Sequence, residues 1–159
     1  METGHSMQLA ELNIARLKHP LDDPRVTEFV RNLERVNAIA DKMPGFVWRL
    51  QDEGGNATSI RISDDAQVIV NLSVWETPQA LETFVFQTVH SQFYKRRAEW
   101  FEVMGKPAVV MWWIDPGHRP TLEEAAARLR DLTDNGPSER AFGWAQLIDT
   151  ERWRTQRCA

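Results

Sequence analysis

The stretch from Gln67 to Glu76 constrains this chain most. Val68, Val70, Leu72 and Val74 fall on one side of an extended chain, and Ile69, Asn71, Ser73 and Trp75 on the other. A two-residue period is that of a strand, whose successive side chains point to opposite faces. One face of the sheet is therefore aliphatic and the other mixed polar and aromatic. Residues 8–17 alternate in the same way. Ala10, Leu12, Ile14 and Arg16 share one face, and Leu9, Glu11, Asn13, Ala15 and Leu17 the other. Asn13 puts an amide in the middle of that strand, either to serve a site or to be satisfied by a neighbour.

The periods of the remaining segments set the order of elements. Asp23 and Pro24 suit the cap and first position of a helix. Its inward stripe is Val26, Phe29, Val30, Leu33, Val36 and Ala40, and Pro44-Gly45 stops it. Phe46 to Gln51 reads as a strand with Phe46, Trp48 and Leu50 on one side, and Ala57 to Ser63 as a hairpin extension. Thr77 and Pro78 open a second helix through Leu81, Phe84, Val85 and Val89, with a bend expected between Thr88 and Ser91. Gly105-Lys106-Pro107 breaks it. Ala108 to Ile114 is apolar throughout, as in a central strand covered on both faces. Thr121 and Glu124 form a capping box for a third helix through Ala125, Ala126, Leu129 and Leu132. Phe142 to Ile148 is read as a last strand. The order β-α-β-β-α-β, then α-β, is a ferredoxin-like split βαβ with an added helix and strand, of class α+β.

Bulk properties exclude several functions. The 159 residues suit one domain over 7–149, with 1–6 read as an expression-tag remnant and 150–159 as a tail. A net charge of −4 gives no electrostatic support for a nucleic-acid partner. No apolar run approaches the ~20 residues that span a bilayer. With no signal-peptide pattern and a single cysteine, Cys158, a cytoplasmic protein is the simplest reading, and a cysteine-based zinc site is excluded.

The chemistry concentrates in residues 89–101. As one helix, this stretch aligns His90, Tyr94, Arg97 and Phe101 in a single stripe. His90 suits a general base or an axial ligand, Arg97 an anchor for a carboxylate or enolate, and Tyr94 a donor to the same oxygen. Trp48, Trp75, Trp112 and Trp113 are candidates for a flat aromatic wall. His118 sits in a proline-flanked loop and is a further candidate ligand contact. The competing reading makes His90 a core histidine, His118 a turn residue, and Arg97 the partner of Glu11, Glu76 or Glu99. His90 and His118 lack a paired carboxylate at ligand spacing, so no metal site is expected.

Residues 12–17, 44–50 and 90–101, together with Gly117-His118-Arg119-Pro120-Thr121, resemble a bacterial family of unassigned function in the dimeric α+β barrel superfamily. The resemblance implies a homodimer in which one face of each sheet lies under helices and the other meets the partner. It also implies a small-molecule pocket on the helix side. The superfamily includes antibiotic-biosynthesis monooxygenases, haem-degrading monooxygenases, chlorite-dismutase relatives and muconolactone isomerases. Residues 74–81 look like the strand-to-helix junction of the monooxygenase branch. Asn13 matches the first-strand Asn of the haem-degrading members and His90 their helix His, while Thr83 and Phe84 stand where their helix Trp falls. The implied activity is cofactor-independent oxygenation of an aromatic or polycyclic molecule. The alternatives are a non-catalytic ligand sensor and a haem-binding or haem-degrading protein.

Overall fold

A computed structural model describes residues 7–51, 65, 67–88, 90–103 and 107–147, the side chains of Phe93 and Tyr94 apart. The strands are β1 (Gln8–Arg16), β2 (Phe46–Arg49), β3 (Val68–Trp75) and β4 (Val109–Ile114). The helices are α1 (Thr27–Lys42), α2 (Pro78–Gln87), α3 (His90–Lys95), α4 (Arg97–Trp100) and α5 (Leu122–Asn135). The strands form one antiparallel sheet in the order β2-β3-β1-β4. This is the ferredoxin-like arrangement, in an α+β fold. The expected hairpin at Ala57 to Ser63, the tail and the first six residues lie outside the described residues. None of the described helices is long and apolar enough to cross a membrane.

Both faces of the sheet are covered from within the chain. Leu9 and Trp75 pack with Ala40 of α1 and with Leu81, Phe84 and Val85 of α2. On the other face, Ala10, Leu12, Val70, Leu72, Val74, Val110, Trp112 and Ile114 pack with Ala125 and Leu132 of α5. β4 lies at an edge of the sheet, where a central strand was expected. Its near-complete burial comes instead from helices on both faces and from Phe142, which exchanges backbone hydrogen bonds with Met111 at 2.7 and 3.0 Å. That single bridge replaces the expected strand from Phe142, because residues 144–147 turn back into a helix.

Two other expectations are corrected. Phe46 and Trp48 do not share a face. A bulge between them sets Phe46 opposite Trp75 and Trp48 opposite Val74, so their side chains join different clusters. Residues 90–101 are not one helix either. Thr88 ends α2 by donating its hydroxyl to the Phe84 carbonyl, and the same oxygen accepts from the His90 N–H. The expected bend is therefore a local side-chain cap. Arg96 then separates α3 from α4. Its guanidinium binds both Glu28 oxygens at 2.6 and 2.7 Å, binds Glu99, and lies 4.7 Å from the Trp100 ring centre. Phe101 is extended and bridges to Leu17, so it leaves the stripe.

Gly45 turns α1 into β2 at φ +86°, a conformation that side-chain-bearing residues rarely adopt, and a Cβ there would lie 2.6 Å from that of Ala80. Gly45→Ala is expected to destabilise the fold by roughly 2 kcal/mol or more, through strain and a clash that α2 must move to relieve. Urea denaturation of the two proteins checks this. An unchanged midpoint would contradict the close approach of the turn to α2.

Candidate functional site

The face covered by α1 and α2 is ordered in cross-strand rows. The first is Trp113, Leu9, Trp75 and Phe46, which is wholly apolar and aromatic. The second is Met111, Glu11, Ser73 and Arg49, and the third Val109, Asn13 and Asn71. The fourth, Ala15 and Ile69, returns to apolar character. Two hydrophobic clusters thus share this face. One surrounds Trp75, and the other contains Leu17, Val26 and Trp100 with Phe29 and Phe101 packed against it. Between them runs a polar belt of Glu11, Asn13, Ser73 and Asn71.

The belt is wired inward. The Asn13 amide donates to Glu11 Oε1 at 2.8 Å, and the Ser73 hydroxyl to Glu11 Oε2 at 3.3 Å. The Trp75 indole N–H donates to Ser73 Oγ at 3.0 Å. Glu11 and Ser73 are each only 5% exposed, whereas Asn13 and Asn71 are half-buried and reached by solvent. Val26 and Ala40 of the α1 segment are buried, but Phe29, Val30, Leu33 and Val36 between them are only half-buried. Phe29 and Val30 pack against the Leu17 cluster and Val36 against the Trp75 cluster, on either side of the belt. Asn71 makes no side-chain hydrogen bond among the described residues.

Burial drives the Glu11 carboxyl up from 4.5 to about 7, against the opposing effect of the Asn13 and Ser73 hydrogen bonds. His90 moves down, chiefly because burial disfavours its cation, with the nearby Val85 carbonyl opposing. Its Nδ1 lies 3.3 Å from that carbonyl. A proton on Nδ1 leaves Nε2 as the free acceptor. The ring ends an aromatic stack: Phe46 meets Trp75 edge-on at 5.4 Å, Trp75 stacks on Phe84 at 5.4 Å, and Phe84 meets His90 at 5.0 Å.

The sequence candidates divide accordingly. Asn13 and Trp75 are in the belt network, and His90 adjoins it through Phe84 and Trp75. Trp113 is on the same face, half-buried, with its ring 6.0 Å from that of Phe142. Phe101 belongs to the second cluster and meets Phe29 edge-on at 5.0 Å. Arg97 is exposed at the start of α4. The Tyr94 side chain lies outside the described residues. Trp48 and Trp112 are on the opposite side of the sheet. His118 is exposed, with Nε2 at 2.8 Å from the Glu124 carboxylate. Glu11 was read only as a salt-bridge partner for Arg97. The available signal was its parity: it alternates in phase with Leu9 and Asn13, the covered side of β1.

No group of three or more His, Cys, Asp and Glu that could hold a metal occurs among the described residues. These residues fit a haem poorly. His90 can offer Nε2, but Phe84 and Trp75 beside it are 8% and 1% exposed, and the sheet beyond them carries a carboxyl and two amides instead of an apolar floor.

Residues 8–158 match the family described as a domain of unknown function, DUF3291. The chain belongs to that family. Comparison with curated proteins gives no match. Among solved structures, it is similar to the Pseudomonas aeruginosa protein PA3566, at 15% identity, TM-score 0.46, and 74% and 98% coverage of this chain and of that one. It is also similar to SnoaB from Streptomyces nogalater, a cofactor-independent oxygenase, at 17% identity, TM-score 0.46, and 73% and 97% coverage. A Nitrosomonas europaea protein of unknown function, NE2512, gives 8% identity, TM-score 0.47, and 74% and 97% coverage.

The raised Glu11 carboxyl makes stability depend on pH. Its folded value, about 7, exceeds the unfolded 4.5, so the fold holds a proton that the unfolded chain releases between those values. The contribution of Glu11 to stability therefore falls as pH rises from 4.5 and levels off above about 7. Glu11→Gln removes this slope and is expected to stabilise the protein above neutrality by on the order of 3 kcal/mol. Urea denaturation of both proteins across this range checks it, and taking their difference cancels the titration of His90. Parallel pH profiles would refute the buried titration.

Proposed function

We propose that the polar belt of this chain binds an aromatic or polycyclic small molecule and catalyses its oxygenation. The carrying observation is the belt itself: amides open to solvent and a buried acid, set between two clusters rich in aromatic rings. Flat apolar ligands suit such walls, and convergent polar groups fix their orientation. The oxygenation chemistry follows the resemblance of the motifs, and the geometry supports its proton handling. In this reading the substrate is ionised, and the ionised substrate itself reduces dioxygen, the co-substrate. For a ring methylene, one oxygen atom replaces its two hydrogens as a carbonyl, and the other leaves with them as water. The Asn71 amide donates to the substrate oxygen as negative charge gathers there.

The same reading includes a homodimer formed through the second face. α5 lies against that face beside β4, where Arg128 is 5.9 Å from the Trp112 ring centre. Val47, Trp48 and Leu50 remain half-buried at its β2 end and supply apolar area for a second copy. Trp48→Arg is expected to shift the protein from dimer to monomer in sedimentation velocity. A wild-type monomer at high concentration would count against this part of the reading.

Oxygen consumption with a panel of naphthols and ring-activated ketones tests the activity. Asn71→Ala is expected to lower the rate roughly 10²-fold, the usual cost of losing one oxyanion donor, with the fold intact by circular dichroism. Saturable binding with no oxygen uptake by any member would instead make the chain a ligand sensor.

A further inference from the structure

Glu11 occupies a position that an amide would satisfy more cheaply. Its oxygens accept from Asn13 and Ser73, and a glutamine could meet both partners without ever carrying charge. A carboxyl adds only the capacity to exchange a proton. Buried acids are ordinarily paired with a cation. Here Asn13 and Ser73 are the only hydrogen-bond partners of Glu11 among the described residues.

The charged groups on neighbouring elements pair with other residues or are exposed, His90 apart. Arg49 lies beyond Ser73 in the same row and binds the Asp41 carboxylate at 2.8 and 3.2 Å. Arg16 belongs to the opposite face of β1 and pairs with Asp65 and Glu102. Met111 and Val109 are the β4 residues beside the belt. Arg31, Glu34 and Arg35 of α1 and Arg97 of α4 are exposed, and His90 begins α3.

We propose that Glu11 is the proton acceptor of this site, and that its substrate is a weakly acidic phenol or enol bound in neutral form. The inference rests on the small-molecule reading of the belt above. In the step, the substrate O–H bond breaks and its electron pair stays on the substrate oxygen. The proton bonds to a Glu11 carboxylate oxygen, giving a neutral acid. One negative charge moves from protein to substrate, and the net charge of the buried site is unchanged. A substrate already anionic at its reacting end would place two negative charges in the same poorly solvated space. The site therefore selects against preformed carboxylates there. A carboxyl raised to about 7 is also matched to acids of this class, as efficient proton transfer requires.

Chromogenic nitrophenols and cyanophenols of graded acidity provide the test, because their bound neutral and ionised forms absorb differently. Wild-type protein is expected to bind phenols that are neutral in solution and to show them ionised, with the ionised form appearing as pH rises through about 7. Glu11→Gln is expected to keep binding within a few-fold and lower the ionised fraction at least about tenfold, the equivalent of one pKa unit. Glu11→Asp, which keeps the acid, retains ionisation. Equal ionisation in wild type and Glu11→Gln, its loss in His90→Gln alone, or loss of binding in folded Glu11→Gln overturns the assignment and leaves the belt as the binding site. Should Glu11→Gln fail to fold, the wild-type pH profile decides. Ionisation following each phenol's own solution acidity overturns the proposal. The absence of binding by every phenol, or binding indifferent to Asn71→Leu, overturns both this inference and the belt reading.

Discussion

A buried carboxyl in the middle of a sheet forces much of the surrounding arrangement. Glu11 lies on β1, an inner strand, on the face that α1 and α2 cover. An apolar helix stripe pressed against that row would strand the oxygens without partners, at a cost comparable to several ordinary contacts. The chain meets the requirement within the sheet. Asn13 reaches back two residues along β1, and Ser73 crosses from β3. Trp75 then donates to Ser73, tying the buried indole of the adjoining cluster to the same network. The carboxyl, the indole and the aromatic stack behind it act as one construction.

That construction divides the helix-side core in two. The cluster around Trp75 uses α2 and the C-terminal part of α1, while the cluster around Leu17 uses the start of α1 with Trp100 and Phe101. The breaks after α2 and after α3 serve this division. Thr88 redirects the chain once it has covered Trp75, and Arg96 clamps the following turn to Glu28 of α1. The Lys95-Arg96-Arg97 run thus contains the ion-pair contact that locates α4. Exposed pairs of this kind contribute little individually, but a bidentate guanidinium fixes orientation.

The strand faces were legible because alternation is a local property. Each residue of β1 and β3 lies on the side that its parity assigned. What was not legible depends on pairing across distance. Residues 90–101 have a helical period, yet Thr88 and Arg96 make bonds that interrupt it, and one of those partners is Glu28, far back in the sequence. The bulge in β2 likewise follows from how Phe46 and Trp48 meet β3. Glu11 stayed hidden for a related reason. A glutamate in an alternating strand suggests the solvent side, although its parity with Leu9 and Leu17 points to the covered one, and the register opposite Ser73 shows what it meets there. His90 drew the eye as an imidazole in an apolar helix. Its nearest roles in the structure are the contacts with Val85 and Phe84.

The two perturbed groups near the belt respond to the same cause in opposite directions. Burial raises the acid Glu11 and lowers the base His90, because in each case it disfavours the charged form. Just below about 7 Glu11 is still mostly protonated, and burial keeps His90 on the side of its neutral form. Above about 7 the Glu11 carboxyl gives up its proton, while burial continues to disfavour the His90 cation. The site then holds a single negative charge without a compensating cation among the described partners of Glu11. A neutral ligand that accepts this charge by giving up a proton relieves the carboxylate and retains the electrostatic balance of the belt. The same burial that makes Glu11 expensive for folding thus makes it an effective proton acceptor. Stability and chemistry are opposed at one residue, as expected where a site is built into the core rather than added at its surface.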